Sequence, residues 1–468
     1  MSYKEKDIWY SNITHKWISD NYPSDVIVKQ MHIPIEYFNN KIYDLQTLEY
    51  LHFTYLYNLC TIPISFVNIN NLTNLLKLEI SFIRLDILPQ NIFLLYNLTS
   101  LICNNNNLTE IPKEICNLKK LEIFNCSNNK LSQLPNLNKL KKLDNLDISH
   151  NEIEYLPNIS DNLKIFNCSG NKLTELNKLS KLTKLHVLYF SNNLVNYLPK
   201  NIDNLTEIKS IYGCNNLLQY LPDNFCKLNK LETVVLRENK LINLPINFGR
   251  RNLINLSTLD ISYNCLTELP KYFDNLKNLM VFECSNNNIT KLFTYFKNNM
   301  NLITLQCCFN NITQINNLNK LLKVQYLNCA YNNIKNISSN IKYLNELTDF
   351  ICMHNKINII PINIIYCKNL KYFDYSNNPI KYVSNIVTNF IKHNEFNIYI
   401  NDQNVHNINI QICIEENINK IMNNNFNINK EIIMSNVIND DILNNFIKSF
   451  ILENNCNLFT NIWNYIQN

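Results

Sequence analysis

The chain has 468 residues, with 43 Lys and Arg against 38 Asp and Glu, for a formal net charge of +5. That charge is too slight to predict a nucleic-acid partner, and three glycines in the whole chain leave little material for a phosphate-cradling loop. No Walker loop, GxGxxG, HExxH, CxxC pair or GxSxG is present, nor any apolar run of about 18 residues that could span a membrane.

Ninety-three residues are Asn, and Ile, Lys, Tyr and Phe are also plentiful. All five have A/T-rich codons, so a compositional bias accounts for most of the asparagines. On that reading the N-x-S/T triplets, such as those opening at Asn107 and Asn125, are chance matches. The opening "MSYKEKDIWYSNITHKW" lacks an apolar core of signal-peptide length. An intracellular protein is expected, with its sixteen cysteines in a reducing compartment.

In chain order, residues 1–47 read as an N-terminal cap, because Ile8, Ile13, Trp17 and Ile18 fall close to helical spacing before "YPSDVIVKQMHIP". From 48 to 383 one pattern recurs: L-x-x-L-x-L-x-x-N-x-L-x-x-L-P. A degenerate unit opens at Leu48. Regular ones follow at Leu75, Leu98, Leu121, Leu143, Leu163, Leu185, Ile208, Leu231, Leu256, Leu279, Leu302, Val324, Leu347 and Leu370. Positions 3 to 7 are predicted to form a strand, with residues 4 and 6 inward and 3, 5 and 7 outward. No unit can bury its leucines alone, so stacked units must share one core.

Position 9 is Asn in thirteen consecutive units, from Asn106 to Asn378. An amide there can satisfy backbone groups where the chain turns out of the strand, so the asparagines should form a structural ladder. Asn264→Leu is then expected to cost about 1–3 kcal/mol, and Asn286→Leu, beside the equivalent position of the next unit, under ~0.5 kcal/mol. The proline after position 14 sits where the chain leaves the core and no ladder donor is lost.

These residues carry the signature of the leucine-rich-repeat family, which the sequence resembles over residues 48–383. The proline-bearing tail is similar to the intracellular class of that family. The resemblance implies an α/β repeat: a leucine-rich-repeat solenoid with a curved parallel sheet on its concave face, between an N-terminal cap and a small helical C-terminal segment.

After 383 the period stops. Residues 384–395 read as a helix, Phe396–Ile400 as a last strand, and three short helices near 408–424, 430–452 and 457–466. Together, 384–468 form a helical cap or a truncated remnant domain. "IYINDQNVHNINIQ" resembles both the entry to the novel-E3-ligase domain of bacterial leucine-rich-repeat effectors and the C-terminal segment of giant-virus leucine-rich-repeat proteins. Such ligases use a Cys-x-Asp nucleophile; no cysteine here has Asp two residues on, and only Cys413 and Cys456 lie in the segment. A virus–host interaction protein with no enzymatic activity is expected, and a ligase-like effector with a degenerate catalytic domain is the alternative.

Seven cysteines take position 6: Cys103, Cys126, Cys168, Cys284, Cys307, Cys329 and Cys352. A line of like-pointing thiols cannot make a tetrahedral site, so they read as core filler, and no metal or cofactor is expected. His150, His186 and His354 and the lysine pairs Lys119–Lys120 and Lys141–Lys142 read as solvated surface.

The concave face carries the functional signal. Positions 2, 3, 5, 7 and 8 of the regular units hold ten acids, among them Glu79, Asp147, Asp260, Glu283 and Asp374 at position 5, against five bases. An acidic face disfavours a phosphate backbone. Aromatics gather there from Tyr189 onward. A protein partner, with neither nucleic acid nor membrane, is therefore expected on a site comprising Tyr189, Tyr212, Asp260, Tyr263, Glu283, Phe309 and Tyr331.

Overall fold

The computed structural model describes residues 30–34, 47–54, 68–381 and 383–393. The chain divides into two compact units, Met1–Cys265 and Leu266–Asn468.

In the first unit eleven parallel strands follow one another in chain order: β1 (Gln30–Pro34), β2 (Tyr50–Thr54), β3 (Lys77–Glu79), β4 (Ser100–Ile102), β5 (Ile123–Asn125), β6 (Asn145–Asp147), β7 (Ile165–Asn167), β8 (Val187–Tyr189), β9 (Ser210–Tyr212), β10 (Thr233–Val235) and β11 (Thr258–Asp260). The second unit continues the style with β12 (Val281–Glu283), β13 (Thr304–Gln306), β14 (Tyr326–Asn328), β15 (Asp349–Ile351) and β16 (Tyr372–Asp374), then helix α1 (Asn385–His393). Equivalent repeat positions pair without slip: Leu101 with Phe124, Tyr189 with Tyr212, Leu327 with Phe350. This is the leucine-rich-repeat fold that the period requires.

β1 is an addition. It pairs in parallel with β2 although its residues lie in the stretch read as a cap. The remaining expectations for 1–29 and for 394–468 lie outside the described residues.

The repeat strands are shorter than expected, spanning positions 3 to 5 rather than 3 to 7. Every regular repeat strand ends at position 5 whatever residue stands there. Where that residue is Asp or Asn, a side-chain bond reinforces the end: Asn125, Asp147, Asn167, Asp260 and Asp374 each accept the N–H two residues on, at 2.9–3.1 Å. This Asx turn starts the bend. The triplet at Asn125 is therefore part of a recurring Asx-x-Ser device, and the compositional reading of it is corrected.

Position 9 completes the bend. Asn264 Nδ2 donates to the carbonyls of Leu236, Ile261 and Ser262 at 3.0, 3.1 and 3.0 Å, while Oδ1 accepts from Leu241 N–H at 2.9 Å. One amide thus ties its own turn to the preceding rung. Asn129 and Asn355 make the same four kinds of bond.

Position 8 has its own requirement. It adopts left-handed backbone in every regular rung, from φ 53° at Asn105 to 53° at Asn377, and Gly170 shares it at 64°. Asn tolerates this conformation better than most side chains. Hence the recurrent Asn-Asn: the first fits the turn and the second bonds it. Asn286, at φ 55°, is one of these residues. It is not a neutral surface site, and the expected cost of under ~0.5 kcal/mol for Asn286→Leu is corrected upward, because Leu must take the left-handed backbone.

The prolines begin short 3₁₀ turns on the opposite side. Pro112 at φ −60° precedes the turn Lys113–Asn117, and its carbonyl accepts from Ile115 N–H at 3.1 Å. Pro222 and Pro361 do the same. Where Ser338 replaces proline, its hydroxyl instead caps Asn340 N–H.

Position 6 lines the core with shape constraints. Cys103, Cys168 and Cys307 are fully buried, and each thiol donates to the position-5 carbonyl of the next rung at 3.3–3.4 Å. Gly213 takes this position beside Phe190, whose ring fills the space where a Cβ would stand. A large side chain is matched by an absent one.

Candidate protein-interaction surface

The face of the sheet opposite the core displays positions 3 and 5. In the first unit its apolar part runs from β7 to β10. Tyr189 and Tyr212, paired across β8 and β9, stack with ring centroids 4.7 Å apart and planes 10° from parallel. Burial, and next the neighbouring Tyr212 phenol, push the Tyr189 hydroxyl above its ordinary value. Ile165 is 38% exposed beside them, and Val187 and Val235 are half-buried. Two rings thus stand on an aliphatic border, already ordered before any partner arrives.

The charges around this strip are mostly answered within the chain. Lys164 pairs with Asp144 at 3.0 Å and Lys209 with Glu232 at 3.3 Å. Asp260 Oδ1 takes the N–H and hydroxyl of Ser262, at 2.9 and 2.5 Å. Asp260 is thereby a turn-forming residue of its own rung as well as part of the face. Arg237 donates to Glu238 at 3.1 Å and stacks over Tyr263 at 4.6 Å, a cation–π contact at the end of the strip. Composition alone overstated the acidity available to a partner, because several of the acids are engaged in turns or ion pairs.

Tyr263, Phe309 and Tyr331 occupy position 8, so they sit in the left-handed residue just past the strand and not on it. In the second unit Phe309, Tyr331 and His354 form a continuous stack on successive rungs, at 4.1 and 4.3 Å. Asn377 Nδ2 lies 2.9 Å from His354 Nε2 and closes the row. Stacking offsets the strain of bulky left-handed residues. Sequence reading treated His354 as an isolated surface residue; its spacing, one repeat beyond Tyr331, was the available signal. Glu283 accepts from Gln306 Nε2 at 3.2 Å on the same unit's sheet face. The predicted residues therefore fall into two groups, Tyr189, Tyr212, Asp260 and Tyr263 in the first unit and Glu283, Phe309 and Tyr331 in the second.

At the other end of the first unit lies a concavity of about 470 Å³, lined by Tyr50, Lys77, Glu79, Ser100, Ile102 and Ile123 among others. Tyr50 Oη donates to Glu79 Oε2 at 2.9 Å, and His52 Nε2 lies 3.5 Å from Oε1. Burial and the Glu79 carboxylate push the Tyr50 hydroxyl up to about 12. Sequence reasoning named none of these as a cluster.

Burial holds three thiols of this row protonated: Cys307 and Cys352 are raised well above the ordinary range, first by desolvation and then by neighbouring thiols, and Cys329 is raised chiefly by desolvation. Among the described residues no group of three or more His, Cys, Asp or Glu is arranged to hold a metal, and no helix is long and apolar enough to cross a membrane. Cys413 and Cys456 lie outside the described residues.

Fold and repeat together define a protein built of leucine-rich repeats. Residues 96–139 match the family model for leucine-rich repeats in two copies. Among solved structures, the chain is similar to a leucine-rich-repeat protein of Leptospira interrogans, with 27% identity and a TM-score of 0.73, covering 84% of this chain and 99% of that one. It is also similar in fold to the Arabidopsis receptor kinase HAESA, solved with the peptide hormone IDA and the co-receptor SERK1 (22% identity, TM-score 0.63, 80% of this chain and 65% of that one). Toll of Drosophila, solved with Spätzle, shares the fold at 23% identity and a TM-score of 0.65, with 79% and 52% covered. The chain thus spans about half of that Toll chain. No curated protein matches it.

Proposed function

We propose that this chain is a recognition module that binds a partner protein through the open, concave face of its sheet, with Tyr189 and Tyr212 as the anchor. The observation that carries this reading is the stacked tyrosine pair on an aliphatic strip of regular sheet. Tyrosines carry large contact area with few rotatable bonds, and a pair held by stacking has already lost the rotamer freedom that binding would cost. Tyr263 with Arg237 borders the anchor, while Glu283, Phe309 and Tyr331 form a second contact group in the other unit. Two of the similar structures bind proteins or peptides, and that supports the same class of ligand here.

An intracellular setting and the absence of catalysis belong to the same proposal. A polynucleotide fits poorly, because the position-5 row is Asp, Glu, Asn, Gln, Tyr, Ile and Val without a single base.

The test is comparative pull-down from the native host cell with quantitative mass spectrometry. The full chain, a Tyr189→Ala/Tyr212→Ala variant, and a variant with Lys119, Lys120, Lys141 and Lys142 changed to Ala serve as baits. The tyrosine variant should lose the enriched partner while keeping the far-UV spectrum of the parent, and the lysine variant should retain it. Loss with the lysine variant alone would move the site off the sheet face.

A further inference from the structure

The concavity at the start of the first unit comes from one small residue in a row of large ones. Lys77, Ser100 and Ile123 stand side by side at position 3 of successive rungs. Ser100, 4% exposed between two longer neighbours, forms the floor, and Leu76, Ile102 and Ile123 supply aliphatic walls. Glu79 stands at one side of this floor. Its carboxylate takes the Tyr50 hydroxyl, and Tyr50, pushed up to about 12, stays a neutral donor. The bond therefore orients Glu79 without discharging it. Among the described residues no Lys or Arg pairs with Glu79.

The lining says what belongs inside. Two carboxylates, Glu49 and Glu79, face one ammonium, that of Lys77. An anion would meet the carboxylates, and an apolar group would strip water from Glu79 while leaving its charge unanswered. A cation on an aliphatic stem satisfies both halves of the lining, because its head pairs with the carboxylate while its methylenes cover the walls. We propose that this concavity holds a basic side chain, Lys or Arg, of the partner protein bound at Tyr189 and Tyr212, which rests on the tyrosine pair being the anchor. The head lies against Glu79 and the stem on Ile102 and Ile123. The face between the two sites is continuous, with Ile123 and Ile165 exposed by 37% and 38%. From β3 to β8 there are five steps of the sheet, about 24 Å, which an extended segment of about seven residues spans. The partner thus carries its basic residue about seven positions from the residue that covers the tyrosine pair.

Dodecapeptides displayed on phage and selected on the full chain test this, with the affinity of each recovered peptide read by fluorescence anisotropy. Recovered peptides should carry a Lys or Arg, and changing that residue to Met should weaken binding to the parent chain about tenfold. Glu79→Gln keeps an acceptor for Tyr50 and should leave the thermal melt unchanged. Against that variant the same peptide change should cost under about twofold, so the two effects are coupled. Lys77→Met removes a competing ammonium and should leave affinity unchanged or raise it, while added salt should lower it. Peptides lacking a basic residue, additive effects of the two changes, or weakening by Lys77→Met would each overturn the proposal. The Tyr189→Ala/Tyr212→Ala variant separates the two readings. Peptides that need Glu79 but ignore this variant would displace the tyrosine anchor and keep the basic subsite; peptides that need the tyrosines but ignore Glu79→Gln would do the reverse.

Discussion

Replacing Asn264 by Leu keeps the branching of the side chain and removes its amide, so the loss chiefly reports what that amide does. Asn264 is 8% exposed and makes four hydrogen bonds, all to backbone. Leu241 N–H, on a residue fully excluded from water, loses its acceptor, and stranding a buried donor costs about 1–3 kcal/mol. The carbonyls of Leu236, Ile261 and Ser262 lose a donor as well, at a smaller cost each, since part of that edge can admit water. The sum is about 2–4 kcal/mol, which exceeds the bond-count minimum because two rungs are uncoupled together. Urea unfolding followed by far-UV circular dichroism measures it. Asn286→Leu is the comparison: it loses no buried bond but forces a branched side chain into φ 55°, for about 1–2 kcal/mol. Asn286→Gly should remove that strain and behave nearly as the parent does. A midpoint shift for Asn264→Leu no larger than that for Asn286→Leu would refute the ladder argument.

Gly213→Ala should destabilise by about 1–3 kcal/mol, because the new Cβ enters the Phe190 ring; Phe190→Leu in the same chain should return part of it, and a thermodynamic cycle reads the coupling. Asp260→Asn should leave stability within about 0.5 kcal/mol, since Asn125 and Asn167 already serve as the acceptor at this position, whereas Asp260→Val should cost about 1 kcal/mol by freeing Ser262 N–H. For the thiols, mass-mapped alkylation at pH 8 should modify exposed Cys265 first among the described cysteines and leave Cys284, Cys307, Cys329 and Cys352 unlabelled until urea unfolds the chain. The sign follows from burial: desolvation raises Cys307, Cys329 and Cys352, holding them protonated in the fold, so their contribution is intact below the ordinary thiol range and is lost as pH rises through the raised values. Labelling of that row at the rate of Cys265 would show that it is not a closed core.

Much of this protein was legible in one dimension because its interactions repeat at one dimension's period. Leucine at positions 1, 4, 11 and 14, Asn at 9 and Pro at 15 each do a job that any rung must do, so recurrence alone reveals them. The parallel sheet, its register and the Asn ladder follow from that recurrence, and so does the burial of the cysteines. What the linear text could not separate was two causes of the same letter. Asn is frequent through composition, yet at position 8 it answers a left-handed backbone, at position 5 an unpaired N–H, and at position 9 two rungs' worth of buried groups. Asp260 reads as a charge on a binding face until Ser262 is seen to fold onto it. The stack of Phe309, Tyr331 and His354 and the Tyr189–Tyr212 pair depend on side chains one repeat apart in sequence standing in contact in space. Periodicity determines which residues are inside, because burial is a property each rung shares. Tertiary structure alone decides what the outward residues do, because their partners are set by distance between rungs and by backbone handedness, and the sequence states neither.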